Sequence, residues 1–222
     1  MTDAVARAVG IATLGFRGGL TPDEVESVRQ ARAHDSDARV RAAAVAALVR
    51  SGPADVARGE VLDALRDDDA TVRRRAAELV PALAPTDEAV VTQLVAGLGD
   101  RDVGVVEAAA WALGELGDDS VRHGAVAPLA DTVRTHRDPI AREAAVAALG
   151  ALGDPAALPA ILEACADRPA VRRRAVLALA PFEGGEVDAA ITNALTDNDW
   201  QVRQAAEDLQ RAGQASSGAG ES

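Results

Sequence analysis

Alanine-rich segments recur along the chain, each with apolar residues at the three- and four-residue spacing of an α-helix. The clearest copy reads DPIAREAAVAALGALGD from Asp138, and its Ala141, Ala145 and Leu149 share one helix face. A half-copy from Asp3 aligns with this segment without a gap. The other copies begin at Asp37, Asp69, Asp102, Arg168 and Asp199. A period of roughly thirty-odd residues is typical of stacked helix pairs.

Each repeat is predicted to contain an outer helix, a short turn and an inner helix. The outer helices are expected at 22–32, 55–66, 86–98, 125–134, 155–166 and 186–195. The inner helices are expected at 38–50, 71–83, 103–116, 139–152, 169–180 and 200–212. The Asp before an inner helix can accept a hydrogen bond from an unpaired backbone N–H and favours the positive end of the helix dipole.

These elements predict an all-α fold, a right-handed α-solenoid of about six helix pairs after an N-terminal half-repeat. We expect residues 1–212 to form a single domain, with the half-repeat and the more polar last repeat as its two caps. The segment 213–222 (GQASSGAGES) has no periodicity and few apolar residues. We expect it to be disordered.

The composition narrows the class of protein. All 23 basic residues are Arg, against 35 acidic residues and a net charge of −12. This balance resembles halophilic adaptation, and a high-GC genome explains the same Arg and Ala bias. A negative field disfavours binding to nucleic acid or an anionic membrane. The sequence shows no apolar run of membrane-spanning length and no signal-peptide pattern. Cys165 is its one cysteine, so no disulfide framework is expected. We therefore expect a cytoplasmic protein.

The copies at 102–118 and 138–154 share Asp, an Ala-rich helix and Leu-Gly-x-Leu-Gly-Asp, and they resemble HEAT repeats of the short, bilin-lyase-like kind. The resemblance covers residues 3–212. It implies a ladder of polar contacts between successive repeats, made by the motif residues Asp3, Asp37, Asp69, Asp102, Asp138 and Asp199 with Arg7, Arg41, Arg73, Arg142, Arg172 and Arg203. Two repeats depart from the motif, because Val106 replaces the Arg and Arg168 replaces the Asp.

In such arrays the inner helices line a concave surface, and the resemblance places Trp111 in the middle of it. Acidic residues at neighbouring positions are Glu78, Glu107 and Glu143. An exposed Trp is a favoured anchor for a partner. The alternative is that Trp111 is partly buried between inner helices.

Two Arg triplets leave basic clusters beyond the ladder, namely Arg74, Arg75, Arg173 and Arg174. They can hold a carboxylate-rich peptide or a phosphate. The alternative is ordinary pairing with nearby acids such as Glu78 and those at 67–69.

Enzyme chemistry has little support in the sequence, and we expect no cofactor. His34, His123 and His136 lack metal-ligand spacing and the His-Glu pairs of HEAT-like hydroxylases. The Gly residues of Leu-Gly-x-Leu-Gly are expected to end helices. We expect a monomeric, non-enzymatic scaffold or adaptor that binds a partner protein or peptide, and neither nucleic acid nor membrane. The alternative is an accessory subunit of a lyase or protein-modification enzyme.

Overall fold

The computed structural model describes residues 2–83 and 86–219, and this part of the chain contains fourteen α-helices, two short 3-10 turns and no strand. The predicted all-α fold is confirmed. None of these helices combines the length and hydropathy needed to cross a lipid bilayer. In chain order the helices are α1 (Thr2–Phe16), α2 (Pro22–His34), α3 (Ala38–Ser51), α4 (Ala54–Ala64), α5 (Ala70–Leu79), α6 (Glu88–Gly97), α7 (Val103–Glu115), α8 (Asp118–Arg122), α9 (Val126–Thr135), α10 (Pro139–Leu152), α11 (Leu158–Ala164), α12 (Pro169–Ala178), α13 (Gly185–Ala194) and α14 (Trp200–Ala219).

The helices form two compact units, Met1–Ala112 and Leu113–Ser222. In the first unit, inner helix α3 packs between α1 and α5, and outer helices α2 and α4 cover α3 and α5. In the second unit, α12 packs between α10 and α14, with α9, α11 and α13 as outer helices. Each unit is therefore a stack of helix pairs of the α-solenoid class. The single continuous domain over 1–212 stays a prediction.

The core consists of small and medium aliphatic side chains. The predicted core face is buried in both units: Val40, Ala44 and Leu48 on α3, and Ala141 and Leu149 on α10, have no exposed surface. Alanine at two of these five positions lets neighbouring helices approach closely, since the separation of two helices depends on the side chains at the contact.

Three elements differ from the expected boundaries. The inner helix α5 ends at Leu79 and continues as a 3-10 turn (Val80–Ala82), because Pro81 has no N–H and its ring clashes with the preceding turn of an α-helix. The short helix α8 was not anticipated. The backbone of α14 is helical to Ala219 rather than irregular from residue 213, because α14 is already formed and extends residue by residue at low cost. Residues 220–222 lie outside the described residues, and disorder of the 213–222 segment stays a prediction.

The two glycines of Leu-Gly-x-Leu-Gly-Asp have different roles. Gly153 ends α10 in the left-handed conformation, with φ of 60°, as expected from the sequence. Gly150 instead lies inside α10. A Cβ there would be 2.7 Å from the Ala178 Cα and 2.6 Å from its Cβ. The first glycine therefore allows α10 and α12 to touch.

We predict that Gly150→Ala lowers the free energy of unfolding by about 1–3 kcal/mol, because the added methyl group forces α10 and α12 apart. Gly59→Ala is the matched control, since Gly59 is exposed inside α4 and a Cβ there meets nothing within 4 Å. That control is expected to gain up to about 1 kcal/mol from helix propensity alone. Chemical denaturation followed by circular dichroism measures both, and equal effects would contradict the close-contact role of Gly150.

Candidate functional site

The motif Asp residues cap the inner helices. Asp37, Asp69, Asp138 and Asp199 each accept a hydrogen bond from the backbone N–H two residues on, at 2.8–2.9 Å. Asp102 does the same for Gly104. Arg168, at the motif position in the next repeat, makes no side-chain cap hydrogen bond. The motif Asp therefore caps the inner helix of its own repeat. The repeats are not linked by the predicted contact between the motif Asp of one repeat and the motif Arg of another.

The motif Arg binds a different carboxylate, one that the sequence analysis did not identify. In each case Nε and one Nη of the guanidinium donate to the two oxygens of one Asp, at 2.6–2.9 Å. That Asp lies in the turn of the next repeat, one or two residues before the position of the capping Asp. The five pairs are Arg7–Asp35, Arg41–Asp67, Arg73–Asp100, Arg142–Asp167 and Arg172–Asp197.

Four of the five pairs also join the backbone of two repeats. The remaining Nη of Arg41, Arg73, Arg142 and Arg172 donates to a carbonyl in the turn of its own repeat. The bound carboxylate in turn accepts an N–H from its own turn, as Asp67 does from Asp69. We call these five Arg–Asp pairs, with their backbone contacts, the arginine ladder.

The ladder changes the titration of its carboxylates. Hydrogen bonds from the paired Arg lower the pKa of Asp35, Asp100, Asp167 and Asp197. For Asp67 burial is the largest effect and raises the pKa, but the hydrogen bonds from Arg41 and the Asp69 N–H together outweigh it. All five carboxylates therefore favour the ionised form in the folded protein.

The departures from the motif have different consequences. Arg168 leaves the ladder intact, since Asp167 and Asp197 both keep their arginines. Val106 removes an arginine, and His136 stands where the repeats around it carry the ladder Asp. In that turn the Asp138 N–H donates to His136 Nδ1 at 3.1 Å. Both members of one Arg–Asp pair, at positions 106 and 136, are thus replaced.

In the first unit, the outward face of the inner helices carries the predicted Trp111. Its exposed fraction is 46 %, which favours the exposed interpretation over burial between helices. Glu107 is exposed one helical turn earlier. On α5, Arg75 and Arg74 pair with Glu78 at 3.0 and 3.6 Å, and a Cβ on Gly104 of α7 would lie 3.5 Å from the Arg74 Cδ. The local pairing expected as the alternative for Arg74 and Arg75 is thus present.

In the second unit, two arginines share one acid. Arg173 and Arg174 on α12 each place an Nη 3.5 Å from the same Glu143 oxygen on α10. Both guanidinium groups are more than a third exposed, whereas their Nε atoms are shielded and have no hydrogen-bond partner. Two charges facing one carboxylate leave a surplus of positive charge, which is available to a ligand through the terminal nitrogens.

Two further observations concern titratable side chains outside these clusters. Among the described residues, no three His, Cys, Asp or Glu side chains are grouped as a metal site would need. Burial raises the pKa of the Cys165 thiol to about 11. A thiol with that pKa remains protonated near neutral pH, and the thiolate is the nucleophilic form.

Comparisons with known proteins bear on this architecture. The family model of HEAT repeats matches residues 58–131 and 126–209, together more than half of the chain. No curated protein sequence matches the chain. An engineered protein solved by structural genomics is similar in fold, with 21 % identity, a TM-score of 0.58, and coverage of 83 % of this chain and 94 % of that one.

Two further solved structures share the fold. The Escherichia coli protein YibA has 17 % identity and a TM-score of 0.60, with 89 % of this chain and 72 % of that chain covered. A designed armadillo repeat protein in complex with the peptide (KR)4 has 17 % identity and a TM-score of 0.56, with 85 % and 98 % covered. At these identities the similarity supports the fold alone.

We predict that Arg142→Leu lowers the free energy of unfolding by about 2–4 kcal/mol, since it leaves the largely buried Asp167 without its partner. Arg211→Leu is the control, because the Arg211–Asp208 pair on α14 is more than half exposed. It should change stability by less than about 1 kcal/mol. Denaturant titration at fixed salt compares the two, and a loss for Arg142→Leu no greater than that of the control would contradict the ladder's role.

The ladder also predicts a loss of stability in acid. A carboxylate whose folded pKa lies below its unfolded value of about 3.9 contributes stability that is complete above the unfolded pKa. That contribution disappears as pH falls through the folded pKa. We expect the free energy of unfolding of the wild type to fall steeply below about pH 4. The Asp167→Asn variant should be less stable at neutral pH, and its free energy of unfolding should fall less steeply in acid. Parallel curves for the two proteins between pH 2 and 6, at constant ionic strength, would contradict this assignment.

Proposed function

The chain belongs to the HEAT-repeat family, and from this membership we propose a cytoplasmic, non-enzymatic scaffold or adaptor that binds a partner protein or peptide on the outward face of its inner helices. We call this surface the inner-helix face. It comprises the positions one and five residues after the motif Arg and those two or three residues before it. HEAT and armadillo-like repeats commonly serve as binding scaffolds, which is the general function this proposal refines.

One observation carries the proposal, namely where the large apolar side chains are exposed. Seven such side chains are at least 40 % exposed in the described part of the chain. Four of them lie on inner helices of the repeats: Trp111, Ile140, Leu177 and Trp200. Exposed apolar side chains concentrated on one kind of surface mark an interaction site more strongly than the same number scattered singly.

Charged groups beside these residues define the chemistry of the partner. In the first unit, Glu107 is exposed one turn from Trp111, so a Lys or Arg of the partner can contact both the indole ring and the carboxylate. In the second unit, Arg173 and Arg174 lie beside Leu177 on α12 and exceed Glu143 in charge. We propose a partner segment that presents apolar and basic side chains to the first unit, and apolar and acidic side chains to the second.

The net charge of −12 supports the basic part of this partner. The designed armadillo protein with a similar fold is in complex with a peptide of alternating Lys and Arg. An acidic chain attracts such a segment at long range, and the attraction weakens as salt rises. The composition, in which every Lys/Arg position is Arg and acids are abundant, also supports adaptation to high salt. Because high salt weakens the attraction between charges, the apolar contacts would then contribute most of the affinity.

We predict that Trp111→Ala weakens partner capture at least about tenfold, because an aromatic anchor in an interface contributes 2 kcal/mol or more. The measurement is affinity capture from native lysate in concentrated salt, with bound proteins quantified by mass spectrometry. Phe16→Ala is the matched control, since Phe16 is also exposed but lies on α1. One protein captured by the wild type and the control, and lost with Trp111→Ala, is the expected result.

The same experiment separates the alternatives. Capture that ignores Trp111→Ala would contradict the inner-helix face as the binding surface. A captured pair that shows turnover or forms a chromophore adduct would instead identify an accessory subunit of a lyase or protein-modification enzyme. Stoichiometric binding without turnover is the result expected of a scaffold.

A further inference from the structure

The last motif arginine, Arg203, is anchored like a ladder arginine but has no bound carboxylate. Its Nη1 donates to the carbonyls of Asp197 and Asn198, six and five residues earlier, at 2.6 and 3.1 Å. Arg73 and Arg142 each donate from Nη1 to carbonyls at the same two offsets. Within the described residues, no carboxylate accepts a hydrogen bond from the Nε or Nη2 of Arg203. The function proposed above does not use this side chain.

The two unused donors of Arg203 are the ones that hold a carboxylate in every ladder pair. In Arg73 and Arg142, Nε and Nη2 bind the two oxygens of one Asp at 2.6–2.8 Å. A guanidinium group presents these two N–H groups as a planar fork that matches a carboxylate. Because Nη1 is already held by the turn, the fork is oriented before a ligand arrives, which lowers the cost of binding.

The acidic residues near Arg203 are compatible with the binding of one more carboxylate. The turn before α14 contains Asp197 and Asp199, and both are engaged, Asp197 in the ladder and Asp199 as the cap of α14. A ladder arginine beside a more acidic turn, Arg73 after the three acids at 67–69, binds its carboxylate at 2.7 Å. Acidic surroundings of this kind therefore do not prevent such a fork from binding a carboxylate.

The surface of α14 beside Arg203 is polar. In α10 and α12, the positions four and seven residues after the motif Arg are buried aliphatic residues, namely Val146, Leu149, Val176 and Leu179. On α14 the corresponding residues are Glu207 and Gln210, and both are exposed. This surface suits a polar segment, and the Glu207 carboxylate requires that the segment present a hydrogen-bond donor next to its acid.

An exposed aromatic side chain lies beside the fork. Trp200 is the first residue of α14 and is 64 % exposed. It precedes Arg203 by three residues, and side chains at this spacing are neighbours on a helix surface. Tryptophan and arginine are the residues that most often dominate binding energy in protein interfaces. The start of α14 thus combines an aromatic anchor with an oriented carboxylate-binding fork.

We propose that Arg203 and Trp200 form a carboxylate-binding site that holds an aspartate or glutamate side chain of the partner protein. The carboxylate accepts hydrogen bonds from Nε and Nη2, and Trp200 contacts the apolar part of the bound segment. This inference rests on the proposed function and adds a second acidic contact, separate from Arg173 and Arg174, whose charge is shared with Glu143. A small free carboxylate would gain only the fork and bind weakly, so we assign the site to a partner that also binds elsewhere.

NMR of the arginine Nε–H groups tests the fork without the partner. The probe is N-acetyl-Asp-N-methylamide, with the uncharged N-acetyl-Asn-N-methylamide as its matched control at equal ionic strength. We expect the Asp probe to move the Arg203 signal toward those of Arg142 and Arg172, and the Asn probe to leave it in place. Arg168, which is exposed, is the reference for nonspecific ion pairing. An Arg203 shift no larger than that of Arg168 would overturn the proposal.

Partner capture tests the assignment of the site to a protein side chain. Arg203→Lys keeps the charge but loses the fork, and it should weaken capture about tenfold. Arg211→Lys on the same helix is the control and should preserve capture. Trp200→Ala should weaken capture with Arg203 intact, so the test does not depend on one variant. Circular dichroism verifies that each variant is folded.

The outcomes separate this inference from the function on which it rests. Capture that is lost with Trp111→Ala but unchanged by Arg203→Lys and Trp200→Ala would overturn the carboxylate site and leave the scaffold function standing. If the wild type captures no partner, the scaffold function fails, and the Asp probe still decides whether Arg203 is an open fork. Loss of capture with Arg203→Lys, together with the Asp-specific shift, is the expected result.

Discussion

The stack of repeats depends on a single kind of contact, in which an arginine near the start of one inner helix holds the turn of the next repeat. The guanidinium group donates two hydrogen bonds to a carboxylate of the next repeat and one to a carbonyl of its own turn. Arg142 does so with the Asp167 carboxylate and the His136 carbonyl. The planar fork of Arg fits both acceptors at once, which the single ammonium group of Lys does not. Each contact therefore helps to set the spacing and register of the two repeats that it joins.

This dependence explains which parts of the protein could be predicted from its sequence. The helical periodicity and the motif Asp fixed α10 to the residue, because a capped, Ala-rich helix is determined locally. The motif named Arg41 and Arg73 as candidates for contacts between repeats. Their partners Asp67 and Asp100 were missed, because the turns contain two or three acids close together and only the folded geometry separates the capping carboxylate from the bridging one. An Asp six residues before Arg41, Arg73 and Arg203 was the available signal.

The functional surface was predicted less completely than the fold. The half-exposed state of Trp111 depends on how far neighbouring side chains reach across it, which periodicity does not encode. The positions of Leu177 and Ile140 carry residues of varied size and polarity in the other repeats, so their exposure is likewise a property of the assembled helices. A core of Ala, Val and Leu leaves little room for aromatic rings, and both Trp side chains and Phe16 lie at the surface. Three of the four aromatic side chains therefore contribute little to the interior.

The final arginine of the ladder has a consequence for the growth of such arrays. Arg203 holds the carbonyls of Asp197 and Asn198 in its own turn, and within the described residues it has no carboxylate partner. The donor half of another step is therefore already formed on α14. A further repeat stacked on α14 would supply an Asp to this donor, but it would also meet the exposed polar side chains Gln201, Gln204 and Glu207. The hydrogen-bonding contact is therefore ready to be extended, whereas the surface beside it would first have to become apolar.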